Sequence, residues 1–151
     1  DKALAILDSP NSNFNQAQAR AKVSSVKANA HTLQTLLETH GVDWGGQYPA
    51  NLKELEKEAK KHNYWRDNKN PFTQKQGISI NGTLLDYANY KKVKDVSGMK
   101  GLVLYKAENC SYVKSEKKTF CTHYKVYALD EKGRFIKDTT TKKDFVLSND
   151  Y

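Results

Sequence analysis

Four histidines, two cysteines and three closely spaced glutamates are the residues of this chain best suited to ligate, titrate or react. A metal centre or catalytic base needs such groups at converging spacing, for example two ligands one helical turn apart. None of His31, His40, His62 and His123 is read as paired with a second ligand in that way. Glu54, Glu56 and Glu58 read as the solvated face of a helix. No GxSxG, GxGxxG or GxxxxGK[ST] pattern occurs, and the one glycine pair, Gly45-Gly46, follows a helix instead of opening one. The expectation is a protein that is not an enzyme, with no metal, no cofactor and no small-molecule substrate. Cys110 and Cys121 are the only cysteines; they read either as one local disulfide or as two free thiols. A bridge would place maturation in an oxidising compartment. Asn81-Gly82-Thr83 and Asn109-Cys110-Ser111 match the glycosylation sequon, a pattern short enough to arise by chance.

Charge is the other chemical feature. Lys and Arg total 25 against 17 Asp and Glu, a formal net charge of +8, and only Arg20, Arg66 and Arg134 are arginines. The lysines cluster at Lys57/Lys60/Lys61, Lys91/Lys92/Lys94, Lys114/Lys117/Lys118 and Lys142/Lys143, with Tyr87, Tyr90, Tyr112, Tyr124 and Tyr127 interleaved. Cationic grooves with stacking rings track nucleic-acid backbones. Lys91, Lys92, Lys94, Lys114, Lys117 and Lys118 are therefore candidate DNA or anion contacts. The competing reading is a solvated, lysine-rich surface that keeps the protein soluble.

The elements that position these residues follow from periodicity. The length is that of one domain. Pro10 with Asn11, Ser12 and Asn13 interrupts a first apolar segment. From Phe14, the residues Ala19, Val23, Val26, Ala30, Leu33 and Leu37 recur at helical spacing and predict a helix over 14–40, ended by Gly41. At 1.5 Å per residue it is a rod of roughly 40 Å. Its early positions, Ala17, Ala19, Ala21, Val23 and Ala28, are small and suit close approach by another helix, or protrusion. Its later ones, Ala30, Leu33, Leu36 and Leu37, suit packing on a sheet. Asn51, with Glu54 three residues on, predicts the capped start of a second helix over 52–62. Residues 101–106, 123–129, 134–137 and 144–148 read as strands, with Asp130-Glu131-Lys132-Gly133 as the turn of a hairpin. Helices first and strands after give an α+β fold, the long helix lying across an antiparallel sheet within 78–148. No run of apolar residues is long enough to span a membrane.

The run Phe14-Asn15-Gln16-Ala17-Gln18-Ala19-Arg20-Ala21-Lys22-Val23 resembles the helix just beyond the membrane segment of type IV pilins and of the major pseudopilins of type II secretion. Asn29-Ala30-His31-Thr32-Leu33-Gln34-Thr35-Leu36-Leu37-Glu38-Thr39 continues the likeness. So do Val42-Asp43-Trp44-Gly45-Gly46-Gln47-Tyr48-Pro49, Asn70-Pro71-Phe72-Thr73, and the late Tyr124-Lys125-Val126-Tyr127-Ala128-Leu129-Asp130 with Gly133 and Ile136. The resemblance implies a structural subunit of a pilus or secretion pseudopilus. Ala17, Ala19, Ala21, Val23 and Val26 would then form the helix interface of a homo-oligomeric or mixed filament. Its partners would be other pilin subunits and an inner-membrane assembly machinery. The location implied is the cell surface or the periplasm, with an inner-membrane pool before assembly. It also matches Cys110 and Cys121 to the family's C-terminal disulfide. The family's apolar opening segment and its early Glu are not found here. Residues 1–13 are thus expected to be a remnant or altered end of that segment, or a second chain supplies the missing helix. Two alternatives stand beside this reading: a DNA-capturing pilin of an uptake system, and a soluble periplasmic accessory protein of the filament machinery.

Overall fold

The structure, a computed structural model, describes residues 2–149, with side chains described over 14–149. Helix α1 (Lys2–Asp43) is followed by strand β1 (Tyr48–Pro49), helix α2 (Leu52–Lys61), strand β2 (Leu84–Asp86), the single turn α3 (Tyr87–Tyr90) and strands β3 (Val103–Val113), β4 (Lys118–Ala128) and β5 (Val146–Ser148). The architecture is α+β: a long N-terminal helix with a mixed five-stranded sheet. The expected interruption around Pro10, and residues 1–13 as a separate remnant, lie outside the described side chains.

The sheet order is β1-β4-β3-β2, with β5 also on β4. β1 meets β4 at Phe120 and Cys121, and β5 meets it at Lys125–Tyr127, so the two lie end to end along one edge of β4. These pairings are antiparallel, but β2 runs parallel to β3. The expectation of a purely antiparallel sheet is therefore corrected. Residues 87–102, containing α3, supply the long crossover that a parallel pair requires. The main hairpin is also not the expected one. β4 pairs along its whole length with β3, while 134–137 contributes two isolated bridges, Leu129–Phe135 after the 130–133 turn and Lys137–Asp144.

Period-2 alternation divides the sheet into two faces. Val103, Tyr105, Tyr124, Val126 and Ala128 form one core with Val26, Ala30, Leu33, Leu36 and Leu37 of α1 and Leu52 and Leu55 of α2. Leu85, Leu102, Leu104 and Leu129 form a second cluster with Met99 on the opposite face, beneath the 87–102 crossover. Helix α2 starts as expected: Asn51 Oδ1 accepts from the Glu54 N–H at 2.9 Å, and Asp86 of β2 adds a bond from the Leu52 N–H at 3.0 Å.

Helix α1 does not end at Gly41. It runs to Asp43 and is closed by the Gly46 N–H bonding to the Gly41 carbonyl at 2.7 Å, with Gly45 and Gly46 both at positive φ. Gly41 lies within the helix, and glycine is needed there because the Tyr48 ring lies 2.9 Å from where a Cβ would stand.

Candidate assembly interface

Two stripes of α1 diverge from Val23 onward. Val26, Ala30, Leu33, Leu36 and Leu37 are buried in the core, so the residues read as sheet-packing occupy that place. Val26 is fully buried with them, one turn beyond the small-residue segment. Its assignment to the helix interface is corrected, because a side chain already covered by the sheet cannot meet a second molecule. Val23 is half-buried against the same core, Ala19 is half-buried, and Ala17 and Ala21 are exposed. From Phe14 to Ala21 every described side chain except Ala19 is exposed, over about 12 Å of helix.

The outward stripe continues well past that segment. Phe14, Ala17, Ala21, Ser24, Ala28, Thr35 and Val42 are exposed at helical spacing, with Thr32 and Thr39 half-exposed between them. Phe14 at 63% and Val42 at 83% are exposed hydrophobic residues at its two ends. Among the described residues no charged side chain falls on this stripe, in a chain whose mean hydropathy is −0.81. Thr32, Thr35 and Thr39 bond their hydroxyls to the carbonyls of Ala28, His31 and Thr35, at 3.2, 3.1 and 2.9 Å. Covering the stripe would therefore strand none of these three hydroxyls. Its flanks are tied down: Lys22 sits over the Phe72 ring at 5.6 Å and Lys27 over Phe145 at 5.4 Å.

The titratable groups gather elsewhere, where α1 ends against α2 and β4. Glu58, expected on a solvated face, is buried. It accepts from His62 Nε2 at 3.0 Å and faces Lys118 Nζ at 3.7 Å. Burial pushes its carboxyl upward, but Lys118, a hydrogen bond from Trp44 and His62 outweigh that and hold it below the usual carboxylate value. His62 therefore has a partner one turn away that sequence spacing was not read to give. His40 is buried beside Trp44, with Nδ1 2.8 Å from the Gln47 carbonyl, and burial lowers its pKa. Burial, with Asp43 and Glu58 nearby, raises the Tyr64 hydroxyl to about 12. Glu38 accepts from the Tyr124 hydroxyl at 2.6 Å and the Tyr48 hydroxyl at 3.3 Å, clamping α1 to β4 and β1. Among the described residues no group of His, Cys, Asp or Glu is placed to hold a metal ion. Nor is any helix long and apolar enough to cross a membrane.

Cys110 and Cys121 face each other in the β3–β4 register and are joined by a disulfide, which settles the two readings of that pair. The candidate lysines are not brought together. Lys91, Lys92 and Lys94 are exposed beside α3, whereas Lys114 and Lys117 are exposed at the far hairpin tip. Lys91 and Lys106 both lie against Tyr87, and β3 runs seven residues further to Val113, so the two groups stand at least about 20 Å apart. Lys118 is half-buried between Glu58 and the Trp44 ring, and its charge is committed there. Of the interleaved tyrosines, Tyr124 is fully buried in the core. Lys106 and Lys125, opposite each other in register, escaped sequence reading because they lie far apart along the chain. No protein-family model matches this chain, and neither do curated proteins nor solved structures.

Proposed function

We propose that this domain is a pilin-like structural subunit, assembling through α1 into a filament of the type IV pilus or secretion pseudopilus kind, without catalysis. The observation that carries the reading is the charge-free outer stripe of α1. Small residues let helices approach closely, and an uncharged stripe on a strongly basic chain lets like subunits meet without repulsion. The inner stripe and the Glu38 clamp hold the same helix on the sheet, so assembly forces reach the domain through a fixed element. The Cys110–Cys121 bridge supports a destination outside the reducing cytoplasm, at the cell surface or in the periplasm.

The test is to place Ala17→Arg and Ala21→Arg separately in the natural gene and recover sheared surface filaments. Both changes abolish the filaments, while Ala21→Ser permits them. The purified domains melt within about 2 °C of the parent, since exposed substitutions shift stability by about 0.5 kcal/mol at most. Normal filaments from both arginine variants would overturn the reading. So would loss of folding, which would make the stripe structural.

A further inference from the structure

The sheet face opposite α1 carries a group of rings that is only partly covered. Tyr127 of β4 stacks on Phe135 at 4.9 Å with the planes 20° apart, and on Tyr87 at 5.4 Å and 28°. All three rings are half-buried. Lys106 and Lys91 hold their ammonium groups 5.0 and 5.8 Å from the Tyr87 ring centre, and Lys92 and Lys94 follow, both exposed.

The rings cover the second core cluster, so fold stability accounts for their stacking but not for the cations gathered around them. Lys106 and Lys125 are directly opposed across β3 and β4, and like charges at such a position repel. Among the described residues, only Glu108 forms an ion pair with either, 3.3 Å from Lys106 and 3.8 Å from Lys125. One carboxylate leaves a positive excess beside an accessible ring stack, and an anion arriving there would relieve it. A duplex buries the faces of its bases, whereas an unpaired strand offers them for stacking on aromatic platforms flanked by cations. Lysine supplies charge without arginine's bidentate fork, which favours backbone contact over base readout.

We propose that this face binds single-stranded nucleic acid. Bases stack at Tyr87 and Tyr127, and Lys91, Lys92, Lys94, Lys106 and Lys125 take the phosphates. The surface is separate from the α1 stripe, so its test does not depend on filament assembly. The probe is a fluorescent oligothymidylate titrated with the 151-residue protein by anisotropy over a salt series. Five neutralised phosphates give a log–log salt slope of about −3 to −4 for a single strand. Tyr87→Leu weakens binding about 5- to 100-fold and leaves the slope unchanged, as loss of one stacked base requires. The triple variant Lys91→Gln, Lys92→Gln, Lys94→Gln flattens the slope by about 2, and it decides the matter if Tyr87→Leu does not fold. Lys114→Gln with Lys117→Gln, at the far hairpin tip, leaves binding unchanged. Three outcomes would overturn the proposal: no binding at physiological salt, a duplex of equal length bound as tightly, or equal losses from the two sets of lysine variants.

Discussion

Asn70 offers the sharpest test of how the loops are held. It is 1% exposed. Its Nδ2 donates to the Gly82 carbonyl at 3.1 Å and the Lys100 carbonyl at 2.8 Å, and its Oδ1 accepts from the Phe72 N–H at 2.9 Å. One amide therefore joins the loop after α2, the turn before β2 and the entry to β3. Asn70→Ala removes three bonds and leaves three backbone groups to find other partners. At about 1 kcal/mol for each bond lost, and more where a group stays dry, the cost is about 3 kcal/mol. For a domain of this size that lowers the melting temperature by about 6–12 °C. Asn70→Asp keeps the shape but points carboxylate oxygens at two carbonyls. The introduced group has a folded-state pKa raised above its unfolded value of about 3.9. Its penalty is then small below pH 4 and grows as pH rises through the unfolded pKa, reaching its plateau above the folded one. Urea unfolding followed by Trp44 and Trp65 fluorescence should show Asn70→Asp less stable than Asn70→Ala at pH 7 and closer to the parent at pH 4. If Asn70→Ala costs under about 1 kcal/mol, or Asn70→Asp is the milder change at pH 7, the hub reasoning is wrong.

Three further outcomes follow from the same geometry. Leu33→Ala, in the α1–sheet core, costs about 2–5 kcal/mol in urea unfolding, whereas Ala28→Ser on the outer stripe changes stability by about 0.5 kcal/mol or less. The Glu58 carboxyl sits below the usual carboxylate value, so it adds stability above that unfolded value, and the gain disappears as pH falls through the folded one. Glu58→Gln should flatten the acid side of a plot of urea midpoint against pH, and an unchanged slope would contradict the ion pair with Lys118. Reducing the Cys110–Cys121 bridge, which closes a separation of 11 residues, should cost about 3 kcal/mol in the chain-entropy model, read as a lowered melting temperature in dithiothreitol.

The buried stripe of α1 was legible because apolar residues at helical spacing have one face to hide. The Asn51 cap was legible because its side chain acts on a backbone N–H nearby in sequence. The end of α1 was not. Gly41 carries the same letter as a terminating glycine, but it is a glycine because the Tyr48 ring lies against it, and the turn that ends the helix is at Gly45 and Gly46. The far half of the β3–β4 hairpin was missed because Glu108, Asn109, Ser111 and Lys118 carry no apolar alternation; long-range pairing and the disulfide hold those residues in strands. β2 could be read only as a short strand or turn somewhere within 78–96, because three residues become a strand only with β3 beside them. At the candidate interface, Ala17 and Ala21 could be read, whereas the burial of Val26 depends on where the sheet begins. Lys118 was grouped with its neighbours in sequence, although its charge belongs to Glu58 on another element.

The placement of β1 and β5 on one edge of β4 also sets the order in which the chain can finish its structure. A nascent chain exposes Leu33, Leu36 and Leu37 early, but the strand that receives both β1 and β5, and carries Tyr124 to Glu38, emerges only with residues 118–128. Until then the first half holds an apolar helix stripe without its cover. Native contacts between segments so distant along the chain favour slow folding and a longer exposed interval. Anything that shields that stripe during synthesis must therefore act before β4 arrives and leave once it does.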